Sequence, residues 1–176
     1  TMETHLNDSN VEALVFDFNH FYGNANSVLN SPGWYRSEAR IIKNSIRSYA
    51  PDGLFWLILD SNKKGRYPKA KHTGVSCFHY GWVRSESQMN LKSKKVQKYW
   101  GGEPVEIDYS KMDQSIIKEF QGSHPEIIKE WLPKESGIYR ADPSYRLTQK
   151  QKKHRLVIKL ESLFGLDLSK KHYKLI

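Results

Sequence analysis

Hydrophobic side chains alternate along residues 11–22 with a period of two, and large rings fall on both sides of the segment. Phe18, His20 and Tyr22 share one face, whereas Phe21 lies on the other. A period of two is that of a β-strand. Because both faces carry rings, the pattern predicts a central strand that is covered on two sides.

Three shorter apolar segments predict further strands. The first contains the pair Ile41-Ile42 and ends near residue 44, and the others cover residues 54–59 and 74–80. The connection between the last two is basic and contains Gly and Pro, which favours a loop. We therefore expect residues 54–59 and 74–80 to pair as antiparallel strands.

Two segments have the features of regular helices. Ser85 and Gln88 have the spacing of a capping box, so a helix is expected up to about residue 100, before Gly101. A second helix is expected over residues 149–164, and one side of it carries five apolar residues: Leu156, Val157, Leu160, Leu163 and Phe164. We expect this side to pack onto the domain. A helix this basic could also lie on a membrane surface.

Shorter helices are expected around residues 116–120 and after Pro125, since Pro is favoured in the first turn of a helix. No internal repeat and no low-complexity segment interrupts the chain. Strands mixed with helices in this way predict an α/β fold.

Length, charge and cysteine content limit the kind of protein that this chain can be and the kind of partner that it would bind. The chain has 176 residues, enough for a proper core, and a formal net charge of +9, which favours anionic partners. The lone Cys77 excludes an internal disulfide and fits a reducing compartment. No apolar run approaches the roughly 18–20 residues that a membrane span requires.

The most distinctive stretch is residues 78–84, Phe-His-Tyr-Gly-Trp-Val-Arg. It follows an apolar strand and precedes the expected helix, so it would bring His79, Tyr80 and Arg84 to a strand-to-helix corner. In α/β proteins such corners carry ligand-binding groups. The alternative is a buried aromatic turn in which His79 only satisfies a backbone carbonyl.

A second candidate is the charged alternation of Arg36, Glu38 and Arg40 along one side of an extended segment. Ionised groups in a row face solvent or a ligand cleft more often than a dry core. One interpretation is a surface charge pair of little energetic value. The other is a cleft in which the arginines bind phosphate or carboxylate with two donors each.

Several ordered segments resemble bacterial family-2 glycosyltransferases. The resemblance covers nearly the whole chain, and its most specific part is residues 79–84, His-Tyr-Gly-Trp-Val-Arg. The other matching segments are Phe21-Tyr22-Gly23, Trp34-Tyr35-Arg36 with Glu38, Arg40-Ile41-Ile42-Lys43-Asn44, Ile46-Arg47-Ser48, Gly122 with His124-Pro125, and Tyr173-Lys174-Leu175-Ile176.

The resemblance implies a nucleotide-diphospho-sugar-binding fold of the GT-A type, of which this chain would hold a part. Residues 1–100 would form the C-terminal, acceptor-side half of the α/β domain, with a partial mixed sheet flanked by helices. Residues 101–176 would form a helical C-terminal extension packed on it. The nucleotide-binding half and its acidic metal motif would precede Thr1, so the chain is expected to be a fragment that is inactive alone.

Sugar transfer needs a base for the acceptor hydroxyl and charge neutralisation on the departing diphosphate. By resemblance, Asp52 is the expected base, with Glu38 as the substitute; for Asp52 the alternative is a turn-forming aspartate that binds its own backbone. His79 is expected to bind a divalent metal, Mn or Mg, or the diphosphate. Arg84 and Tyr80 are the other candidates for binding the donor. The candidates for binding the acceptor are Arg36, Arg40 and Trp34.

The expected partners are a nucleotide-sugar donor, a glycan or other hydroxyl acceptor, and the N-terminal half of the same protein. The expected location is the cytoplasm, with a peripheral contact with the inner membrane left open. The competing function is a basic nucleic-acid-binding module without catalytic activity, which the charge and the aromatic residues favour. The basic residues are scattered over several elements and form no recognised nucleic-acid-binding motif, so no nucleic acid is expected as a partner.

Overall fold

The computed structural model describes residues 2–61, 64–132 and 142–176, and the side chains of Asp52 and Trp100 lie outside the description. The described chain is mixed α/β. Its strands are β1 (Ala13–Tyr22), β2 (Ser27–Leu29), β3 (Ser37–Ile42), β4 (Ser48–Tyr49), β5 (Leu57–Leu59), β6 (Gly65–Arg66), β7 (Lys69–Trp82), β8 (Ile117–Glu119) and β9 (Lys174–Leu175). Its helices are α1 (Met2–Leu6), α2 (Glu86–Trp100), α3 (Glu126–Lys129) and α4 (Gln149–Phe164), with short 3-10 turns at Pro51–Gly53 and Gln114–Ile116.

The chain divides into two compact units, to which strands β1 and β7 both contribute. The first unit is Thr1–Phe18, Tyr35–Cys77 and Ser169–Ile176, and the second unit is Asn19–Trp34 and Phe78–Leu168. The second unit thus runs across residue 100, where the predicted domains meet. The assignment of residues 1–100 to the acceptor side of a transferase stays a prediction.

In the first unit, β3 lies antiparallel to β1, and β9 lies parallel to β7. Small and branched side chains pack between these strands, together with the fully enclosed ring of Tyr173. On the other side of β1, Val11 and Leu14 form a separate cluster with Phe16. Both sides of β1 are therefore covered here, as its sequence pattern predicts.

In the second unit, β2 lies antiparallel to both β1 and β8. The two sides of β1 again face different clusters. Tyr22 packs with Met89 and Tyr109, whereas Phe21 packs with Val83 and Leu132. Alternation along one strand thus separates two cores.

The two regular helices expected from the sequence are confirmed. Ser85 accepts the N–H of Gln88 and Gln88 reaches back to it, as the capping box predicts, and Gly101 follows α2 with a positive φ of 75°. Helix α4 spans the expected residues 149–164 and has a second capping box, formed by Thr148 and Gln151.

Three local expectations are wrong. Strand β5 pairs with β4 and β6 in a small separate sheet rather than with residues 74–80. Residues 117–119 form strand β8 instead of a helix, because they continue a sheet beyond β2. The apolar side of α4 is not packed: Leu163 is 77% exposed and Phe164 is 66% exposed.

Helix α4 is held in the second unit by a forked ion pair between Arg155 and the buried Asp113. The guanidinium donates from Nε to Oδ2 over 2.8 Å and from Nη2 to Oδ1 over 2.7 Å, and Ser115 donates its N–H to Oδ1 as well. Burial would raise the pKa of Asp113, but these hydrogen bonds outweigh burial and hold the pKa below its ordinary value.

We expect Asp113→Ala to destabilise the chain by about 2 kcal/mol in urea unfolding. The expected cost is smaller than the cost of breaking a fully buried ion pair, because part of the Arg155 side chain is in water. Since the folded pKa lies below the ordinary 3.8, the loss is present at neutral pH and shrinks as the pH falls below 3.8. The exposed Glu119→Ala is the control. A cost for Asp113→Ala no larger than that of the control would contradict this account.

Candidate functional site

The strand-to-helix corner predicted for residues 78–84 is present in the second unit. Strand β7 ends at Trp82, and Ser85 caps α2 three residues later. Near the end of the strand, Nδ1 of His79 lies 2.9 Å from Nδ1 of the buried His20 on β1. The two rings meet edge to face, with centroids 5.0 Å apart. One ring nitrogen donates the proton of this bond and the other accepts it.

Gly81 leaves the space that the imidazole of His79 occupies. A Cβ atom at position 81 would come within 2.7 Å of Nε2 of His79, which is closer than carbon atoms of folded proteins approach such a ring. The absence of a side chain at position 81 therefore leaves room for the imidazole in this position. His79 is consequently packed on one side and hydrogen-bonded at Nδ1.

An indole extends this group of rings. Trp34, the candidate acceptor contact, lies 5.2 Å from His20 and meets Trp82 edge to face at 5.7 Å, centroid to centroid. Trp34 is half-buried, so part of its ring is available to a ligand.

Tyr80 lies on the opposite side of β7 from His79, in an aromatic cluster. Its ring stacks on Phe21 at 4.8 Å, and its hydroxyl is 2.8 Å from Nδ1 of His124. Burial raises the pKa of Tyr80. The hydroxyl therefore stays protonated at neutral pH and has a fixed partner, which gives Tyr80 a clear structural role beside the predicted one in donor binding.

Arg84 lies in the link between β7 and α2 and is half-buried. Burial raises the pKa of Tyr109 well above its ordinary range, and the nearby Arg84 cation opposes this shift. The guanidinium thus acts electrostatically on the Tyr109 hydroxyl. The first turn of α2, which follows it, is closed by the Ser85 capping box and carries Glu86, whose carboxylate accepts the N–H of Tyr109.

Glu38, in the first unit, has surroundings that the sequence did not predict. Its side chain is buried, with 1% of its surface exposed, rather than facing solvent or an open cleft. Oε2 lies 2.6 Å from Nδ1 of His172, and Oε1 accepts the N–H of Ala39 over 2.9 Å. The ring of His172 stacks on Phe55 with centroids 4.2 Å apart. Both carboxylate oxygens therefore already have partners.

Arg40 extends from the same strand into a ring contact. Its guanidinium lies 4.9 Å from the centroid of Phe18 and 5.1 Å from that of Tyr35, and it donates to the carbonyl of Leu54 over 3.1 Å. Arg36 is half-buried, and its carbonyl accepts the N–H of Phe18. The sequence predicted one row of three charged side chains facing solvent or a cleft. In the structure, each of the three side chains has different surroundings.

Asp52, the predicted base, lies in the 3-10 turn Pro51–Gly53. The side chain of Asp52 lies outside the part of the chain that the structure describes, so its contacts stay a prediction. The backbone of the turn is described: Gly53 closes it by donating to the carbonyl of Ala50 over 3.2 Å, and it has a positive φ of 66°.

The predicted site residues thus fall into two groups, one in each unit. The second unit contains Trp34, His79, Tyr80 and Arg84, with Tyr80 on the opposite side of β7 from His79, and the first unit contains Arg36, Glu38, Arg40 and the turn of Asp52. Each group has its own geometry.

The predicted metal role of His79 fits the described residues only in part. Within residues 2–61, 64–132 and 142–176, no group of three or more His, Cys, Asp and Glu side chains could hold a metal ion. Mg²⁺ and Mn²⁺ prefer oxygen ligands. An imidazole would therefore supply one position of a site completed by carboxylates from elsewhere.

Three histidines were missed as partners of the predicted residues: His20, His124 and His172. His20 shares a strand face with Phe18 and Tyr22, so the period of two could have suggested it. The sequence around His172 gives no such signal, because its partner Glu38 is 134 residues away and belongs to another element.

Comparison of the chain with protein-family models, with curated proteins and with solved structures gives no match. Among the helices that the structure describes, none has both the length and the apolar character needed to cross a membrane.

We expect Glu38→Ala to cost about 2–3 kcal/mol in chemical unfolding, because the N–H of Ala39 and the imidazole of His172 both lose a buried partner. Glu38→Gln keeps one carbonyl acceptor and should cost about half as much. The exposed Glu3→Ala serves as the control and should be close to neutral. Equal effects of the Ala and Gln variants would show that these hydrogen bonds do not stabilise the fold.

Proposed function

We propose that this chain is the acceptor-side half of a glycosyltransferase that moves a sugar from a nucleotide-diphospho-sugar to an acceptor hydroxyl. The proposal includes a GT-A-like fold completed by an N-terminal half, a divalent metal held mainly by that half, and a cytoplasmic location. The observation that carries it is the corner between β7 and α2. There, His79 is fixed by His20 and Gly81, and Arg84 precedes the start of a long helix.

The chemistry of the corner agrees with a leaving diphosphate. A guanidinium and a helix N-terminus both stabilise negative charge, and they act most strongly where it develops in the transition state. The half-exposed Trp34 offers a surface for a sugar ring beside His20, which bonds to His79. In this proposal Arg84 and His79 bind the donor phosphates, and Trp34 orients the sugar or the acceptor.

In the first unit, the proposal assigns proton removal to Asp52 rather than to Glu38. Glu38 is buried, and each of its two oxygens already has a hydrogen-bond partner, so an acceptor hydroxyl has little access to it. Its role would be to hold the imidazole of His172 in place. Asp52 lies in a turn in which the next two residues, Gly53 and Leu54, are exposed, which is compatible with access to a hydroxyl.

Asp52→Asn, made in a protein that carries both halves, should lower kcat by a factor on the order of 10²–10⁴ with little change in donor affinity. The amide keeps the shape of the side chain but cannot accept the proton. Asp142→Asn, in another exposed turn, is the matched control. Turnover is measured with saturating donor, and an unchanged kcat would remove Asp52 from the mechanism.

In the same protein, His79→Ala should raise the metal concentration needed for donor binding by about tenfold or more. Donor affinity is titrated calorimetrically at several metal concentrations. His72→Ala, an exposed histidine of the same strand, is the control. If His79→Ala leaves the metal dependence unchanged, His79 has only the structural role of packing against His20 and Gly81.

A further inference from the structure

Helix α4 has an inner face that attaches it to the second unit. His154 lies over Gly33 and contacts Ser31, with Nδ1 3.3 Å from Oγ. Ile158 packs against the core cluster around Tyr22 and Met89. The buried Glu161 accepts the N–H of Leu168 over 2.8 Å, which fixes the segment after the helix.

The outer face of α4 carries the apolar residues that the sequence analysis expected to be buried. Leu156 and Leu163 are 59% and 77% exposed, and Leu160, between them, is also exposed. Positions i, i+4 and i+7 form a single stripe along a helix. Phe164, the last residue of the helix, is exposed as well.

The charge around this stripe has one sign. Lys152, Lys153 and Lys159 are exposed beside the leucines. The only acidic residue of α4 is Glu161, and it is buried on the inner face. The outer face thus combines exposed leucines and a phenylalanine with a rim of lysines and has no carboxylate. The helix is 16 residues long, or about 24 Å, enough for several contacts along a flat surface.

We propose that the outer face of α4 binds an anionic membrane surface, with Leu156, Leu160 and Leu163 inserted at the boundary between headgroups and acyl chains. Lysines beside an inserted stripe extend their ammonium groups to lipid phosphates while their stems cover apolar surface. The face lies entirely within the second unit and does not depend on the proposed transferase activity.

A bilayer fits this face better than a second copy of the chain does. Two copies meeting through this face would bring two rims of lysines together, because no acidic side chain of the helix faces outward. Like charges across an interface oppose association. An anionic bilayer supplies both an apolar interior and the opposite charge.

Helix α2 provides an internal comparison. It is also basic, and it carries the exposed Leu91 and Val96. These two residues are five positions apart, so they lie on different sides of the helix rather than on one stripe. Helix α2 thus has basic charge and exposed apolar residues but no apolar stripe, and it serves as the control for the stripe on α4.

The experiment is co-sedimentation of the chain with vesicles of equal parts phosphatidylcholine and phosphatidylglycerol, and with vesicles of phosphatidylcholine alone. We expect binding to the anionic vesicles and at least about tenfold weaker binding to the neutral ones. Leu160→Ser with Leu163→Ser should weaken binding to anionic vesicles about tenfold or more. Lys152→Gln with Lys159→Gln should weaken it by about fivefold for each charge removed.

The double variant Leu91→Ser with Val96→Ser is the matched control and should bind as the unchanged chain does. All substituted residues are exposed, and circular dichroism verifies that each variant is folded. Analytical ultracentrifugation of each variant reports self-association. The longer protein that carries the N-terminal half is measured in the same assay and should bind the anionic vesicles equally well.

Four outcomes would overturn the proposal. The chain fails to bind anionic vesicles at low salt. The Leu160/Leu163 variant binds as well as the α2 control, which would assign binding to net charge alone. The chain forms a dimer that the Leu160/Leu163 variant dissolves, without vesicle binding, which would assign the face to a second copy. The longer protein does not bind although the chain does, which would assign the face to the N-terminal half.

Discussion

The burial of both sides of strand β1 is the constraint on which the rest of the structure depends. Val11, Leu14 and Val15 are fully enclosed, as is Phe21 near the other end of the strand. Because successive side chains point to opposite faces, each unit has to supply two separate apolar surfaces to one strand. In the first unit Tyr173 and Trp56 pack on one face and Leu6 on the other, and in the second unit Tyr109 covers one face and Leu132 the other.

The same constraint determines the surroundings of the candidate donor-binding residues. His20 occupies a buried position on β1, so its imidazole has to satisfy a ring nitrogen inside the protein. His79 supplies that partner. A residue singled out for its chemistry therefore also meets a structural need, and substitution at position 79 tests both roles at once. For that reason, metal dependence and not stability is the informative measurement there.

Local sequence patterns predicted the elements whose signals are local. Strand β1 follows from the alternation, the ends of α2 follow from its capping box and Gly101, and α4 follows from the helical spacing of its apolar residues. The patterns did not predict that β5 joins a separate sheet or that residues 117–119 extend β2, because strand pairing depends on contacts distant in the chain. The helical period located the apolar side of α4 but could not show whether that side would be covered.

For the candidate site, the sequence predicted which residue types are present, and the structure defines their partners. The glycine corner and Arg84 lie where the pattern indicated, after a strand and before a helix. The burial of Glu38 was missed because its partner His172 lies near the end of the chain, in a segment without periodic pattern. Charge alternation alone cannot distinguish a solvated row from one in which a member is buried against a distant imidazole.

Gly33 and the ring of His154 show how tightly the loop before Trp34 is coupled to α4. A Cβ atom at position 33 would come within 2.6 Å of Cε1 of His154, so the loop backbone and the imidazole share a single close contact. Position 33 directly precedes Trp34, so the loop that carries this indole of the candidate site is in contact with α4 and leaves no room for a side chain at position 33.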